Sequence, residues 1–401
     1  MVAHPQGADA ARGRLELASI VREHGAALRA GQNLSAAQLK ALRAIERCRT
    51  AQLGGHIAQC NHCAAQQFHY HSCRNRHCPK CQTLAKERWL KSRRAELLPV
   101  PYFHLVFTLP HEINALAQGN PRLLYGLLFS AASETLIEFG ENPRWLGGSI
   151  AATLVLHTWG QTLTHHPHVH ALVAGGALHP EGGWIAPRRG FLFPVKALSP
   201  VFRGKFLDGL SKLLEQGRLK LAGSTTALAQ PQPQRTLIAR LRAKPWVVYA
   251  KQPLGGPEQV LDYLGRYTHK VAISNQRLLA MDEQGNVRFG YRDRARANRR
   301  KTMQLPATEF LRRFLTHVLP GGFMRIRHYG LLANRAKHEK LTAARAALGV
   351  VALASVKPES VPAFWLRVAA IDITLCPACR IGHLCVVGSV PPLAPYQARA
   401  P

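Results

Sequence analysis

Three groups of side chains in this sequence combine residue type and spacing in ways that could do chemistry. The first is Cys60-x-x-Cys63 and Cys78-x-x-Cys81, with fourteen residues between the two pairs. A C-x-x-C turn presents two thiolates to one ion, and two such knuckles close a tetrahedral sulfur site, the donor set that suits Zn²⁺. The spacing predicts one structural zinc on Cys60, Cys63, Cys78 and Cys81. With no open position, such an ion stabilises the fold and does not catalyse. Cys48, His56, Cys73 and His77 lie nearby and could replace a ligand or build a second site. Arg74, Arg76 and Lys80 surround the second knuckle, where they suit phosphate contact and equally a solvated face. Far downstream, Cys376-x-x-Cys379 is half a ribbon. His383 and Cys385 follow it, but a pair two residues apart on an extended chain has little room to close on that knuckle. Metal binding and an inert pair both stay open there.

The second group is His165-His166-Pro167-His168-Val169-His170. On a strand, residues i and i+2 share a side. His168 and His170 then face one way while Val169 packs the other. Two imidazoles on one face can bind a divalent ion, although an isolated H-x-H also occurs by chance in a chain with 20 histidines. A third ligand must come from elsewhere, and His157 and Gln161 are both candidates. The third group is Tyr263-Leu-Gly-Arg-Tyr267, within a helical pattern that places the two phenols on one face. Phenol is a poor nucleophile at neutral pH, since its pKa is about 10. A nearby cation would favour the phenolate, and Arg266, His269 and Lys270 are at hand. Taken alone, the pair reads as readily as two tyrosines packing a helix on a sheet.

The elements that must position these groups follow from periodicity and punctuation. Residues 13–47 read as two helices, the second capped by Ser35. AKERWLKSRRAELL reads as a basic amphipathic helix. YFHLVFTL, SIAATLVLHTW, VHALVAGGAL and WVVYAKQ read as strands. PRLLYGLLFSAASETLIEF and VFRGKFLDGLSKLLEQG read as helices between them, and TTALAQPQPQRT as a loop. RLLAMDEQGNVRFGYRD reads as a hairpin turning at EQGN. ATEFLRRFLTHVL and GLLANRAKHEKLTAARAAL read as helices, and the tail after Val350 is Pro-rich. The mixed order implies an α+β core with flanking helices, preceded by a zinc-ribbon-like module.

Charge supplies the partner. Lys plus Arg number 53 against 22 Asp plus Glu, a formal charge of +31. Such an excess repels itself unless a polyanion is near, and nucleic acid is the usual one. Arg288, Arg292, Arg294, Arg296, Arg299, Arg300 and Lys301 fall in one stretch, interleaved at its start by Phe289 and Tyr291, which could stack on unpaired bases. No apolar run reaches the roughly 18 residues of a membrane span, no apolar segment marks a secretory signal, and no GxxxxGK[ST] loop calls for a nucleotide cofactor. The expected setting is the cytoplasm, where clustered cysteines favour metal over disulfides. A small-substrate zinc hydrolase would not need the charge and lacks an H-E-x-x-H helix. A non-catalytic zinc-dependent nucleic-acid-binding protein explains charge and cysteines, and leaves the histidine strand and tyrosine pair as coincidences.

In order, SCRNRHCPKCQ, HLVFTLP, HTWGQTLTHHPHVHALVAGGAL, YLGRYTHKVAISNQRL and RIRHYGLLANR resemble the insertion-sequence 91 family of rolling-circle transposases, of the HUH endonuclease superfamily. The likeness runs from about Gln52 to Arg345, roughly three quarters of the chain. It implies a zinc-binding domain and an HUH-type antiparallel-sheet nuclease core. The implied reaction nicks and rejoins single-stranded DNA through a 5′-phosphotyrosine. The resemblance gives His168 and His170 the catalytic metal, Mg²⁺ or Mn²⁺, and Tyr263 and Tyr267 the nucleophile role. Arg266, Lys270, Arg296, Arg299 and Arg300 are then candidates for contact with DNA. The expected division is 13–99 for the helical zinc module, 100–345 for the two-tyrosine domain and 346–401 for the tail.

Overall fold

Alternation along two strands sets the architecture. In a computed structural model the described residues are 15–188, 191–251, 258–259, 261–262, 265, 271–293, 296–350 and 359–393. Tyr263, Arg266, Tyr267, Lys270 and Arg294 lie outside them. Strands β4 (Ala151–Trp159) and β5 (His165–Ala174) form an antiparallel hairpin at the centre of a five-stranded sheet. β3 (Tyr102–Thr108) pairs with the far side of β5, and β8 (Val248–Lys251) with β3. β12 (Ile326–Gly330) pairs with β4, so the order is β12-β4-β5-β3-β8, antiparallel throughout. Gly330 ends β12 at φ +63°, against the Ile150 carbonyl, where a Cβ would have no room. A short ribbon, β6 (Ala177–Leu178) with β7 (Trp184–Ile185), follows β5.

One face of this sheet is apolar at every second residue. Phe103, Leu105 and Phe107, Leu154 and Leu156, and Val169, Ala171 and Val173 all enter the main core. Helices α4 (Asn114–Gly119), α5 (Pro121–Glu141), α6 (Val195–Glu215) and α7 (Pro231–Ala243) supply its other half, with Phe107 meeting Phe202 edge-on at 5.1 Å. α7 occupies part of the stretch read as a loop. Pro231 sits at its first turn, where a missing N–H costs nothing, so the prolines start a helix here and do not forbid one. On the opposite face, one end is closed by a smaller cluster. Tyr102, Ala151, Leu172 and Ala174 of the sheet pack with Leu90 of α3 (Thr83–Ala95), Leu261, Leu331, and Leu341 of α9 (Lys337–Ala347). This sheet and its helices form one unit, Ala85–Ala272 with Arg313–Ala354.

The other unit is discontinuous: Met1–Leu84, Ile273–Arg312 and Ser355–Pro401. Strand pairing joins its first and last segments. Helices α1 (Leu17–Gly31) and α2 (Ala36–Arg47) open it. Ser35 caps α2 in a reciprocal box, accepting from Gln38 N at 3.3 Å while Gln38 Oε1 accepts from Ser35 N at 2.9 Å. β1 (Gly55–Cys60) is the middle strand of a sheet in which β2 (Gln66–Tyr70) and β13 (Leu384–Val390) flank it. A second sheet has the order β11-β10-β9, from β9 (Leu278–Met281), β10 (Asn286–Asp293) and β11 (Arg299–Pro306). α8 (Ala307–Leu315) follows β11, and α10 (Val361–Ala369) belongs to the last segment. Arg288 and Arg292 of the basic stretch thus lie on β10, which pairs with β11, the strand that carries Arg299, Arg300 and Lys301.

Candidate active site and cysteine clusters

The sheet face opposite the main core carries the histidines. His168 lies across from His157, and His170 across from Val155. With the strand alternation holding, Val169 is fully buried on the other side. The ligand nitrogens of His157, His168 and His170 all lie within 4.8 Å of one another. Their rings are close: 4.3 Å between the centroids of His157 and His170, 4.9 Å for His168 and His170, and 5.4 Å for His157 and His168. His157, one of the two candidates for a third ligand, lies with the pair. The cluster is buried, with Trp159 stacked on His157 at 4.7 Å.

A neighbouring carbonyl fixes which nitrogen His168 offers. His168 Nδ1 is 2.7 Å from the His166 carbonyl, so it carries the proton and leaves Nε2 as the lone pair. His170 Nδ1 is 2.8 Å from His104 Nε2 with the rings nearly coplanar, at an interplanar angle of 4°. Burial pushes the His104 imidazole down to about 4, so it stays neutral and shares a single proton with His170 across that contact. His104 was not singled out by the sequence. Its signal was a histidine within YFHLVFTL on the side of β3 away from the main core, shared with Val106, which stands opposite His170.

Further along β4 and β5, His165 and His317 buttress the hairpin. His165 Nε2 meets Tyr125 Oη at 2.8 Å, and its carbonyl accepts from Asn114 Nδ2 at 3.0 Å. His317 is wholly buried, bonded at Nδ1 to Thr158 Oγ1 (3.2 Å) and at Nε2 to the Leu163 carbonyl (3.1 Å). Burial pushes it down to about 4. Tyr263 and Tyr267, with Arg266 and Lys270, fall outside the described residues, but their described neighbours do not. Leu261 is buried with Leu172 and Ala174, which share the side of β5 that bears His168 and His170. Asp262 pairs with Arg94 at 2.6 Å.

The cysteines group differently from the expected single site. Cys48, Cys73, Cys78 and Cys81 bring their sulfurs together, and Cys60, Cys63, Cys376 and Cys379 do so separately. The reason is the β1–β2 hairpin. Cys60 and Cys63 stand at its turn, whereas β2 runs back until Tyr70 faces Gly55. The chain toward Cys78 and Cys81 therefore returns to the other end of β1, roughly 16 Å away at about 3.3 Å per residue. There it meets Cys48 at the C-cap of α2. In this cluster Cys48 Sγ lies 3.3 Å from Cys81 Sγ and 3.7 Å from Cys78 Sγ, and Cys73 Sγ lies 3.6 Å from Cys81 Sγ. Hydrogen bonds from Cys48, Cys73 and Cys78 hold the Cys81 thiol far below its ordinary value, and the same crowding drives Cys78 far above its own. Four thiolates this close need a cation to ionise together, and the donor set fits zinc.

On the basic hairpin, Arg288, Arg292 and Arg300 are exposed on one face, with Arg292 directly opposite Arg300. Arg296 and Arg299 are exposed toward its tip, and Lys301 pairs with Asp293 at 2.7 Å. Phe289 is not available for stacking on a base. It alternates to the other face and is fully buried, 5.6 Å from Phe310. Tyr291, half-buried, shares that side.

Two family profiles match the chain. One described as "Transposase zinc-binding domain" matches residues 20–109, and one described as "Putative transposase" matches 151–340. The chain is 47% identical over 94% of its length to "Putative transposase y4qJ" of Sinorhizobium fredii, of which it covers 96%. It is 31% identical over 72% of its length to "Transposase for insertion sequence element IS801" of Pseudomonas savastanoi pv. phaseolicola, of which it covers 68%. Among solved structures, the conjugative relaxase TrwC complexed with a 27-mer DNA aligns with 41% of this chain and 71% of its own, at 13% identity and a TM-score of 0.23. The chain belongs to the insertion-sequence 91 family of transposases. Among the described residues, no helix is long and apolar enough to cross a membrane.

Proposed function

We propose that this transposase nicks and rejoins single-stranded DNA during rolling-circle transposition, through a 5′-phosphotyrosine on Tyr263 or Tyr267. The observation that carries the reading is the cluster of His157, His168 and His170 on a sheet face against which Leu261, two residues before Tyr263, is also packed. In-line attack needs nucleophile and metal to share one phosphate, and the packing of Leu261 on the histidine face supports that reading. A divalent ion held there would polarise a phosphate oxygen and neutralise charge in the transition state. Three imidazoles without a carboxylate favour Mn²⁺ over Mg²⁺. A tyrosine Oη attacks phosphorus, the P–O3′ bond breaks, and the departing strand leaves as a 3′-hydroxyl. The phosphodiester energy stays in the protein–DNA link, so no nucleotide cofactor is consumed. The second tyrosine can cut another strand while the first is occupied. In this reading Arg266, Lys270, Arg296, Arg299 and Arg300 contact the DNA backbone. Zinc on Cys48, Cys73, Cys78 and Cys81 stabilises the N-terminal module.

The test is incubation with labelled single-stranded ends of the element, with Mn²⁺, with Mg²⁺ and with chelator, followed by a denaturing gel. A metal-dependent protein–DNA adduct, lost when both tyrosines are changed to Phe, is expected. Binding without any adduct would turn the reading to a non-catalytic zinc-dependent nucleic-acid-binding protein.

A further inference from the structure

The second cysteine cluster is built from both ends of the chain. Cys60 and Cys63 close the β1–β2 turn, and Cys376 and Cys379 stand just before β13. More than 300 residues separate the two knuckles, and the second lies beyond residues 20–109, the span of the zinc-binding profile. The two knuckles repeat one local geometry. Ala64 N donates to the Cys60 carbonyl at 3.2 Å, and Arg380 N donates to the Cys376 carbonyl at 2.8 Å. Ala64 and Arg380, each the residue after its second cysteine, both take positive φ, +59° and +57°. Backbone N–H groups point at the sulfurs: His62 N at 3.3 Å and Cys63 N at 3.5 Å from Cys60 Sγ, and Gly382 N at 3.4 Å from Cys379 Sγ. Such donors stabilise thiolate over thiol.

Across the cluster, Cys60 Sγ is 3.7 Å from Cys379 Sγ, and Cys63 Sγ is 3.7 Å from Cys376 Sγ. Four Zn–S bonds of 2.3 Å at tetrahedral angles put the sulfurs about 3.8 Å apart. A disulfide would need about 2.05 Å. The surrounding chain is shaped to this packing. A Cβ on Gly382 would lie 2.6 Å from Cys60 Sγ and 2.5 Å from His62 Cβ, so only glycine leaves the sulfur its space. Asn61 ties the knuckles together, donating N–H to the His383 carbonyl at 3.0 Å and accepting His383 N–H at Oδ1, 2.8 Å.

We infer that Cys60, Cys63, Cys376 and Cys379 bind a second structural Zn²⁺ that clasps the C-terminal segment onto the N-terminal module. Bringing such distant segments together carries a loop-closure cost, and a shared ion is an economical way to offset it. The clasp sits at one end of a β1–β13 pairing that runs from Cys60 opposite Leu384 to Gly55 opposite Val390. Beyond the far end, Leu393 N donates to the Ala51 carbonyl at 3.2 Å. This inference is independent of the strand-cutting mechanism.

Native mass spectrometry of the full chain, purified with reductant, counts the ions. Two zinc ions are expected, falling to one in the double variant Cys376→Ser/Cys379→Ser. The same variant should become sensitive to proteolysis between residues 359 and 393. Gly382→Ala, a milder change, should speed zinc loss to a chelator from one of two sites and leave the other unchanged. Cobalt substitution of the wild-type chain should give sulfur-to-cobalt charge-transfer absorption that halves in the double variant. Full zinc content in the double variant would overturn the assignment. So would a single zinc in the wild type, or a wild-type mass reduced by two or four hydrogens, which would report disulfides.

Discussion

The histidine cluster and the cysteine clusters are candidate metal-ligand sets, and they are made in opposite ways. His157, His168 and His170 come from two neighbouring strands of one hairpin, with His168 directly opposite His157. The cysteine sites draw on α2, on the segment after β2, on the β1–β2 turn and on the chain ahead of β13. A site made within one hairpin inherits its geometry from the period of the strand. A site made between distant segments inherits it from topology, which local spacing does not encode. The first is rigid wherever the sheet is rigid. The second holds its segments together and so belongs to stability.

That contrast is broken most sharply by exchanging the expected consequences. His157→Ala and His170→Ala should each lower adduct formation by on the order of 1,000-fold while leaving the melting temperature near that of the wild type, since a lost ligand removes the charge stabilisation of the transition state. His104→Ala should act through His170, weakening apparent Mn²⁺ affinity by about 10- to 100-fold, and excess Mn²⁺ should recover the rate. Cys48→Ser should do the reverse, unfolding the N-terminal module while the histidine-bearing sheet keeps its circular dichroism. A His157 variant with full activity would remove it from the ligand set. A Cys48 variant with unchanged melting and zinc content would remove the first cysteine cluster.

How much of this was legible follows the same divide. The strands SIAATLVLHTW and VHALVAGGAL, with His168 and His170 sharing a side, could be read because alternation is local. The hairpin at EQGN and the Ser35 cap were legible for the same reason. The partition of the cysteines was not. Cys60-x-x-Cys63 and Cys78-x-x-Cys81 are separated by a plausible ribbon spacing, yet the antiparallel return of β2 puts them at opposite ends of β1. Nothing in the spacing announces that Cys376 and Cys379, more than 300 residues on and just ahead of β13, lie beside Cys60 and Cys63. Phe289 misled because an aromatic among arginines reads alike whether it points outward or, as its alternation with Arg288 dictates, into the core.

A second test concerns stability and pH on the histidine side. His317 is held neutral by burial, at about 4 against an ordinary 6.5. Above pH 6.5 both folded and unfolded states leave it uncharged, and its full contribution to stability is present. As pH falls from 6.5 toward 4, the unfolded chain takes up a proton that the folded chain refuses, and stability drops. The loss approaches about 3 kcal/mol at pH 4, on an order-of-magnitude reckoning of 1.36 kcal/mol per unit. His328 adds in the same direction: it is pushed down to about 4 by burial and then by Arg93, whose Nη1 is 2.7 Å from its Nε2. Urea titrations of wild type and His317→Gln at pH 7 and pH 5 should show a smaller pH dependence in the variant. Equal dependence would mean that His317 is not the group that titrates.

The basic hairpin gives a smaller effect. If Arg296, Arg299 and Arg300 each meet a phosphate of a single strand, changing all three to Ala should flatten the slope of log affinity against log salt by about 2, at roughly 0.7 per contact. Between 50 and 200 mM salt that amounts to roughly 16-fold in affinity. Phe289→Leu should leave the slope unaltered and lower stability only, because Phe289 packs on Phe310. An unchanged slope in the triple variant would place the DNA path elsewhere.

The smallest effect separates the two tyrosines. In sequence, Tyr263 follows Asp262, whose negative charge opposes a phenolate, and Tyr267 follows Arg266, whose positive charge favours one. On that basis Tyr267 is expected to make the first cut and Tyr263 the strand transfer. The Arg94–Asp262 pair narrows the difference, since a guanidinium 2.6 Å away offsets part of the carboxylate's charge. Both partners are partly exposed, so the pair is worth no more than about 1 kcal/mol. Arg94→Ala should therefore slow the Tyr263-dependent step by a few-fold and leave the first adduct untouched, and adding Asp262→Asn should restore the rate. Tyr267→Phe should abolish the first adduct, while Tyr263→Phe should form it and stall before transfer. If Tyr263→Phe blocks the first adduct and Tyr267→Phe does not, the order is reversed. In that case Arg94→Ala should slow the initial nick. If both single variants transpose normally, neither phenol is the obligate nucleophile, and the histidine site must act on DNA with another one.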